Sequence, residues 1–164
     1  MILAAPSCGG ALNDSLKTAE PAGNADQVFV NTDLDGTWRG LAVPLTPGAL
    51  PLMQTLGFTS YGEGPDEIRL IRYSFPAPRR SGTIDYLALI TSYEVFYNAA
   101  GRFELETRFL GFTTSGIFID ERVSKVLYMD PDRQSMVGTE EILVYEAGRL
   151  TIAVDSVLAM DRID

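Results

Sequence analysis

From residue 35 onward, apolar and polar residues alternate with a period of two, in runs bounded by turn-forming residues. That period belongs to half-buried strands, because successive side chains of a strand point to opposite faces. In residues 103–109, Phe103, Leu105, Thr107 and Phe109 fall on one side, and Glu104, Glu106 and Arg108 on the other. In the last run Leu150, Ile152 and Val154 oppose Thr151, Ala153 and Asp155. The pattern predicts strands over residues 37–43, 67–75, 84–97, 103–112, 117–129, 136–145 and 150–160. Gly101 and Gly148 sit where short hairpins need a positive φ, and Pro131 with its flanking aspartates suits a turn. The last five strands therefore read as an antiparallel meander. A long sheet with one apolar face buries it most simply by curling into a barrel, which also removes its edges. A two-sheet sandwich is the competing solution. On the barrel reading, Phe103, Leu105, Phe109, Ile152 and Val154 turn inward and are the candidate ligand-binding residues.

One short helical segment is expected where Pro51 opens a turn, Leu52, Met53 and Leu56 share a face, and Gly57 stops it. Residues 44–64 would then be a long connection of the kind that forms lids. Residues 74–82, with Pro76, Pro78, Arg79 and Arg80, read as a second loop.

Composition narrows the chemistry. The chain has 164 residues, one domain's worth, and a net charge of −9. Such a balance argues against nucleic acid as a partner, and against attraction to an anionic membrane surface. It contains no histidine, which excludes histidine-ligated zinc or haem and every imidazole-based triad. Its single cysteine excludes an intrachain disulfide and paired-thiol redox chemistry. Asp130-Pro131-Asp132 lacks the ligand spacing of a calcium loop. No metal and no cofactor is expected.

The opening Met1-Ile2-Leu3-Ala4-Ala5-Pro6-Ser7-Cys8 resembles the end of a bacterial lipoprotein signal peptide. That resemblance implies that Cys8 is lipidated and that the protein is extracytoplasmic, membrane-anchored, periplasmic or at the cell surface. Residues 9–33 are rich in Gly, Ala, Asn, Asp, Ser and Thr and read as a flexible tether. The expected division is a lipobox-like start and linker over residues 1–33 and a barrel over 34–164.

Gly36-Thr37-Trp38 at the start of the first strand resembles the Gly-x-Trp signature of the calycins, the lipocalins and fatty-acid-binding proteins. The resemblance implies an all-β, antiparallel up-and-down barrel of about eight strands. It also implies that Trp38 closes one end against a basic residue of the last strand, for which Arg162 is the candidate. Seven long strands are counted; a split long strand, or one over residues 28–31, would make eight. Histidine-held haem, as in nitrobindin-like barrels, has no ligand here.

Adjacent carboxylates such as Asp120/Glu121 and Glu140/Glu141 point to opposite faces of a strand, so none forms an acid–base pair by itself. Glu94 lies in the mostly apolar run 90–97; facing inward near Tyr86 and Tyr93, it would be a general acid with a raised pKa. Three readings follow. The first is a non-catalytic, lipocalin-like lipoprotein binding a small hydrophobic molecule or lipid. The second is a small-barrel cyclase or isomerase using Glu94, Tyr86 and Tyr93. The third is a structural or assembly lipoprotein that binds a protein partner on its exterior.

Overall fold

The computed structural model describes residues 27–74, 79–81 and 84–164. They form nine strands: β1 (Gly36–Pro44), β2 (Leu52–Ser60), β3 (Ile68–Ser74), β4 (Arg79–Ser81), β5 (Ile84–Tyr97), β6 (Arg102–Thr113), β7 (Phe118–Met129), β8 (Ser135–Glu146) and β9 (Arg149–Arg162). All belong to one antiparallel sheet in the order β3-β2-β1-β9-β8-β7-β6-β5-β4. β5 to β9 run as a meander, and β9 then returns to pair with β1, placing Arg162 opposite Trp38. At the far side β3 comes against β5, so the eight longer strands make a nearly closed barrel. The turns have the chemistry the sequence demands: Gly101 and Gly148 have φ values of 75° and 82°.

The expected helix is absent. Residues 52–60 are instead strand β2, hydrogen-bonded to β1 on one side and β3 on the other. Without it the outer edge of β1 would be left unpaired, a cost local helix propensity does not offset. Gly57 ends no helix. A Cβ there would sit 2.9 Å from the Cβ of Arg72, so the glycine lets β3 approach closely. β2 is the eighth long strand; β5 stays whole through Tyr97, with a bulge between Ile90 and Ser92.

The linker expectation also changes near its end. Residues 27–33 lie across the Trp38 end of the barrel, where Asn31–Asp33 form a 3-10 turn. Phe29 is buried in the core cluster and its amide donates to the Ala99 carbonyl at 3.1 Å. Polar composition hid this, because one phenylalanine supplies the anchoring contact. Cys8 and residues 1–26 lie outside the described residues.

Inside, two apolar layers fill the barrel. Trp38, Leu56, Phe58, Phe103, Leu105, Leu127 and their neighbours pack at one end. Tyr86, Phe109, Ile119, Val123, Ile142, Val144 and Val154 pack toward the other. Strand coiling is tight enough that an added Cβ at Gly138 of β8 would lie 2.0 Å from the Val126 carbonyl oxygen of β7. On the outside, Asp120 accepts two bonds of 2.8 Å from Arg108 and one of 3.2 Å from Arg122. The Arg108 hydrogen bond is the main reason the Asp120 carboxyl titrates below its usual range. Burial opposes it, and Arg122 adds to it.

Candidate functional site

At the Trp38 end three pieces of chain enclose a half-open recess of about 680 Å³. Phe29, Val30, Asn31 and Thr32 form one wall, the β2–β3 loop with Gly62, Glu63 and Pro65 a second, and Phe96 to Ala99 at the end of β5 the third. The walls are stitched together by hydrogen bonds to backbone carbonyls. The Asn31 side-chain amide donates to the carbonyls of Gly62 and Gly64 at 3.0 and 2.5 Å. The Tyr97 amide donates to the Pro65 carbonyl at 2.6 Å. Phe29 and Tyr97 meet edge to face with centroids 6.5 Å apart. Among the lining residues the only ionisable side chains are those of Glu63, exposed at the rim, and Tyr97. Tyr97 is buried and its hydroxyl has no hydrogen-bond partner among the described residues. Burial, then the negative charge of Asp33, push its pKa well above the usual tyrosine value, against the pull of Arg133 and Arg162. It is therefore neutral, and it is no base. A recess of this size and lining suits a small apolar molecule.

Behind the recess Trp38 is fully buried; its indole N–H donates to the Leu34 carbonyl at 2.8 Å, and the Arg162 guanidinium lies 4.8 Å from the ring centroid. Arg162 also donates to the Asp33 carbonyl. This ties the end of β9, the start of β1 and the 3-10 turn into one plug.

The five residues expected to line a ligand site are placed differently from one another. Phe103, Leu105 and Phe109 have no solvent-accessible surface. They fill the lumen, and a molecule could reach them only by displacing the core. Val154 is buried as well, and Ile152 is half-buried beside it at the end opposite Trp38. None of them lines the recess. Its walls escaped the sequence reading because one is a loop, one is the end of β5 with its turn, and the third was grouped with the linker.

The acid–base alternative is taken apart by the bulge between Ile90 and Ser92, which turns Glu94 to the opposite face from Tyr86 although the two share parity. Glu94 lies opposite Glu106 on the outer face and is exposed. Tyr93 is 40% exposed, whereas Tyr86 is fully buried and donates its hydroxyl proton to Glu121. The three therefore do not converge on one site.

Between the two apolar layers runs a polar one that sequence reasoning missed. Lys125 of β7 and Glu140 of β8 are both fully buried and directly paired. The Lys125 ammonium also donates to the Tyr73 hydroxyl at 2.8 Å. The Tyr73 hydroxyl donates to Gln54 Oε1 at 3.2 Å, and Gln54 Nε2 donates to Glu140 Oε2 at 2.6 Å. These four bonds close a ring. Burial alone would lower the Lys125 pKa, but electrostatic attraction to Tyr73 and Glu140 and the hydrogen bonds to both outweigh it and raise it. Glu140 Oε1 has no partner among the described residues. The signal was present in β7: Lys125 shares parity with Ile119, Val123 and Leu127, so a period of two alone puts it inside.

Among the described residues no group of three or more acidic or cysteine side chains is arranged to hold a metal ion, and no helix is long and apolar enough to cross a membrane. Comparison with protein-family models, curated proteins and solved structures finds no match. What the fold defines is a class: an all-β, antiparallel, nearly closed barrel whose geometry is compatible with a calycin-like architecture.

Proposed function

We propose that this protein binds a small, apolar, uncharged or cationic molecule in the recess at the Trp38 end, without chemically changing it. The recess itself carries the reading: about 680 Å³, walled by Phe29, Val30, Pro65 and Phe96, with hydrogen bonds that fix its walls to one another. No basic side chain lines it, and Glu63 stands at its rim, so a carboxylate-bearing lipid would find no partner there. The binding role is that of a lipocalin-like lipoprotein, with the site moved from the lumen to the plug. The lipobox-like start supports an extracytoplasmic barrel tethered through Cys8.

Uptake of a neutral, environment-sensitive dye tests the site. Ala99→Trp fills the recess from an exposed position and should abolish uptake while leaving the melting temperature unchanged. Undiminished uptake would overturn the assignment. Labelling with a palmitate analogue, lost in Cys8→Ala, tests the tether; no label on the wild-type protein removes it.

A second reading, binding of a protein partner on the exterior, has its own observation. Leu87, Leu89, Phe112 and Phe118 are 67%, 78%, 59% and 41% exposed on neighbouring strands β5, β6 and β7. Dye binding that survives Ala99→Trp but is lost in Leu89→Glu would favour it.

A further inference from the structure

The ring of Lys125, Tyr73, Gln54 and Glu140 has more chemistry in it than packing requires. A buried amine and a buried carboxamide share two partners, Glu140 and Tyr73, and Lys125 and Gln54 both hydrogen-bond the same Glu140 oxygen. Lys125 also donates to Tyr73, whose hydroxyl donates to the Gln54 carbonyl oxygen. We propose that Lys125 and Gln54 join in an amide bond, a covalent strut across the barrel lumen formed by the protein itself, with Glu140 as the proton carrier.

The step balances as follows. Lys125 hands one proton to Glu140 Oε2, leaving a neutral amine with a free electron pair. That pair attacks Cδ of Gln54, and the Tyr73 hydroxyl stabilises the charge that develops on Oε1. Glu140 takes the second amine proton as it returns its first to the departing amide nitrogen. The old C–N bond breaks, ammonia leaves, and Nζ–Cδ is formed. Nothing is oxidised or reduced, and no co-reactant is needed. Glu140 ends as a neutral acid hydrogen-bonded to the new amide.

Two physical arguments favour the reaction. The starting state holds a paired ammonium and carboxylate in a fully buried layer, with Glu140 Oε1 lacking a partner among the described residues, whereas the product holds no charge there. The shared partners Glu140 and Tyr73 also hold the amine and the carboxamide in one ring, which makes the encounter intramolecular. Condensation of Lys125 with Glu140 itself is the rival outcome. It would expel water and would consume the only acid of the ring that can protonate a leaving group. The inference is independent of the recess and of what binds there.

Peptide mass spectrometry of the denatured, trypsin-digested protein decides it, on fresh protein and on protein held folded for days at neutral pH. Trypsin cleaves after Lys125 only when its amine is free. The expected product joins residues 40–69 to residues 123–133 and is lighter than their sum by one ammonia. Gln54→Met should restore cleavage after Lys125, and Glu140→Leu should leave Gln54 and Lys125 unjoined. Separate peptides 40–69, 123–125 and 126–133 from the wild-type protein would overturn the proposal. So would a product lighter by one water that joins residues 123–133 to 134–149.

Discussion

Trp38→Ala tests whether the plug is the structural keystone its geometry implies. The side chain has no accessible surface, its N–H satisfies the Leu34 carbonyl at 2.8 Å, and Arg162 covers its ring at 4.8 Å. Truncation removes a large buried ring and leaves a cavity that the sheet, fixed on both sides by β2 and β9, cannot collapse; such changes cost about 3–5 kcal/mol. The hydrogen bond contributes about 0.5–1.5 kcal/mol of that, and the Arg162 stacking about 0.5–2 kcal/mol. Against a domain stability of about 5–15 kcal/mol the loss is a large fraction. Arg162→Ala should cost less, since the ring and the Leu34 bond remain. The double variant should fall short of the sum by about 0.5–2 kcal/mol, the shared contact being counted once. Urea unfolding followed by far-UV circular dichroism reads all four proteins, because Trp38 is the only tryptophan and its fluorescence is lost with it. Wild-type emission should be that of a buried indole. Additive losses together with water-exposed emission would refute the plug.

Three other outcomes follow from the same geometry. Gly138→Ala should cost about 1–3 kcal/mol in the same assay, since its Cβ would overlap the Val126 carbonyl oxygen and the β7–β8 ladder must shift; an unchanged midpoint would contradict the tight coiling. Asn31→Ala should cost about 1–2 kcal/mol and weaken dye uptake in the recess, because the Gly62 and Gly64 carbonyls lose the Asn31 donor, Gly64 keeping only the Glu67 amide; unchanged affinity would mean the loop holds its place without Asn31. The Asp120 carboxyl has a folded pKa below its unfolded one, so its stabilisation is present above about pH 4 and is lost as pH falls through the depressed value. Asp120→Asn should flatten that acid limb, with the difference shrinking in high salt because Arg108 and Arg122 are half-exposed; an identical acid limb would show that the carboxyl is not held down.

The meander was legible because each of its strands carries its own instructions: period-two alternation, and glycine or Asp-Pro at the turns. β2 was not, because Leu52, Met53 and Leu56 also fit a helical face and only the need to pair β1 decides between the two. Residues 27–33 were misread for a related reason. Composition averages over a window, whereas Phe29 works as a single anchor in a recess made by distant parts of the chain. The pairing of Arg162 with Trp38 was within reach, because the last strand of an up-and-down barrel must return to the first. The inward set Phe103, Leu105 and Phe109 was read with the right parity and the wrong consequence: alternation tells which side chains face the lumen, and cannot tell whether the lumen is empty.

That distinction explains why the interior polar layer matters to the fold. An apolar lumen packed on both sides of the middle would tolerate sliding of β7 past β8 by two residues, since Val, Ile and Leu replace one another at little cost. Lys125 opposite Glu140 forbids it. A slip of two residues moves a fully buried ammonium and carboxylate apart, and leaving either unpaired costs about 3–5 kcal/mol. Gln54 and Tyr73 extend the same constraint to β2 and β3, on the opposite side of the barrel. The ring therefore fixes register across the lumen, where no backbone ladder reaches. Fixed register in β2 and β3 sets the position of the loop carrying Gly62, Glu63 and Pro65, and so the second wall of the recess. Loosening the ring by Gln54→Leu should accordingly reach the recess through β2 and show as weaker dye uptake, although no atom of Gln54 lines it.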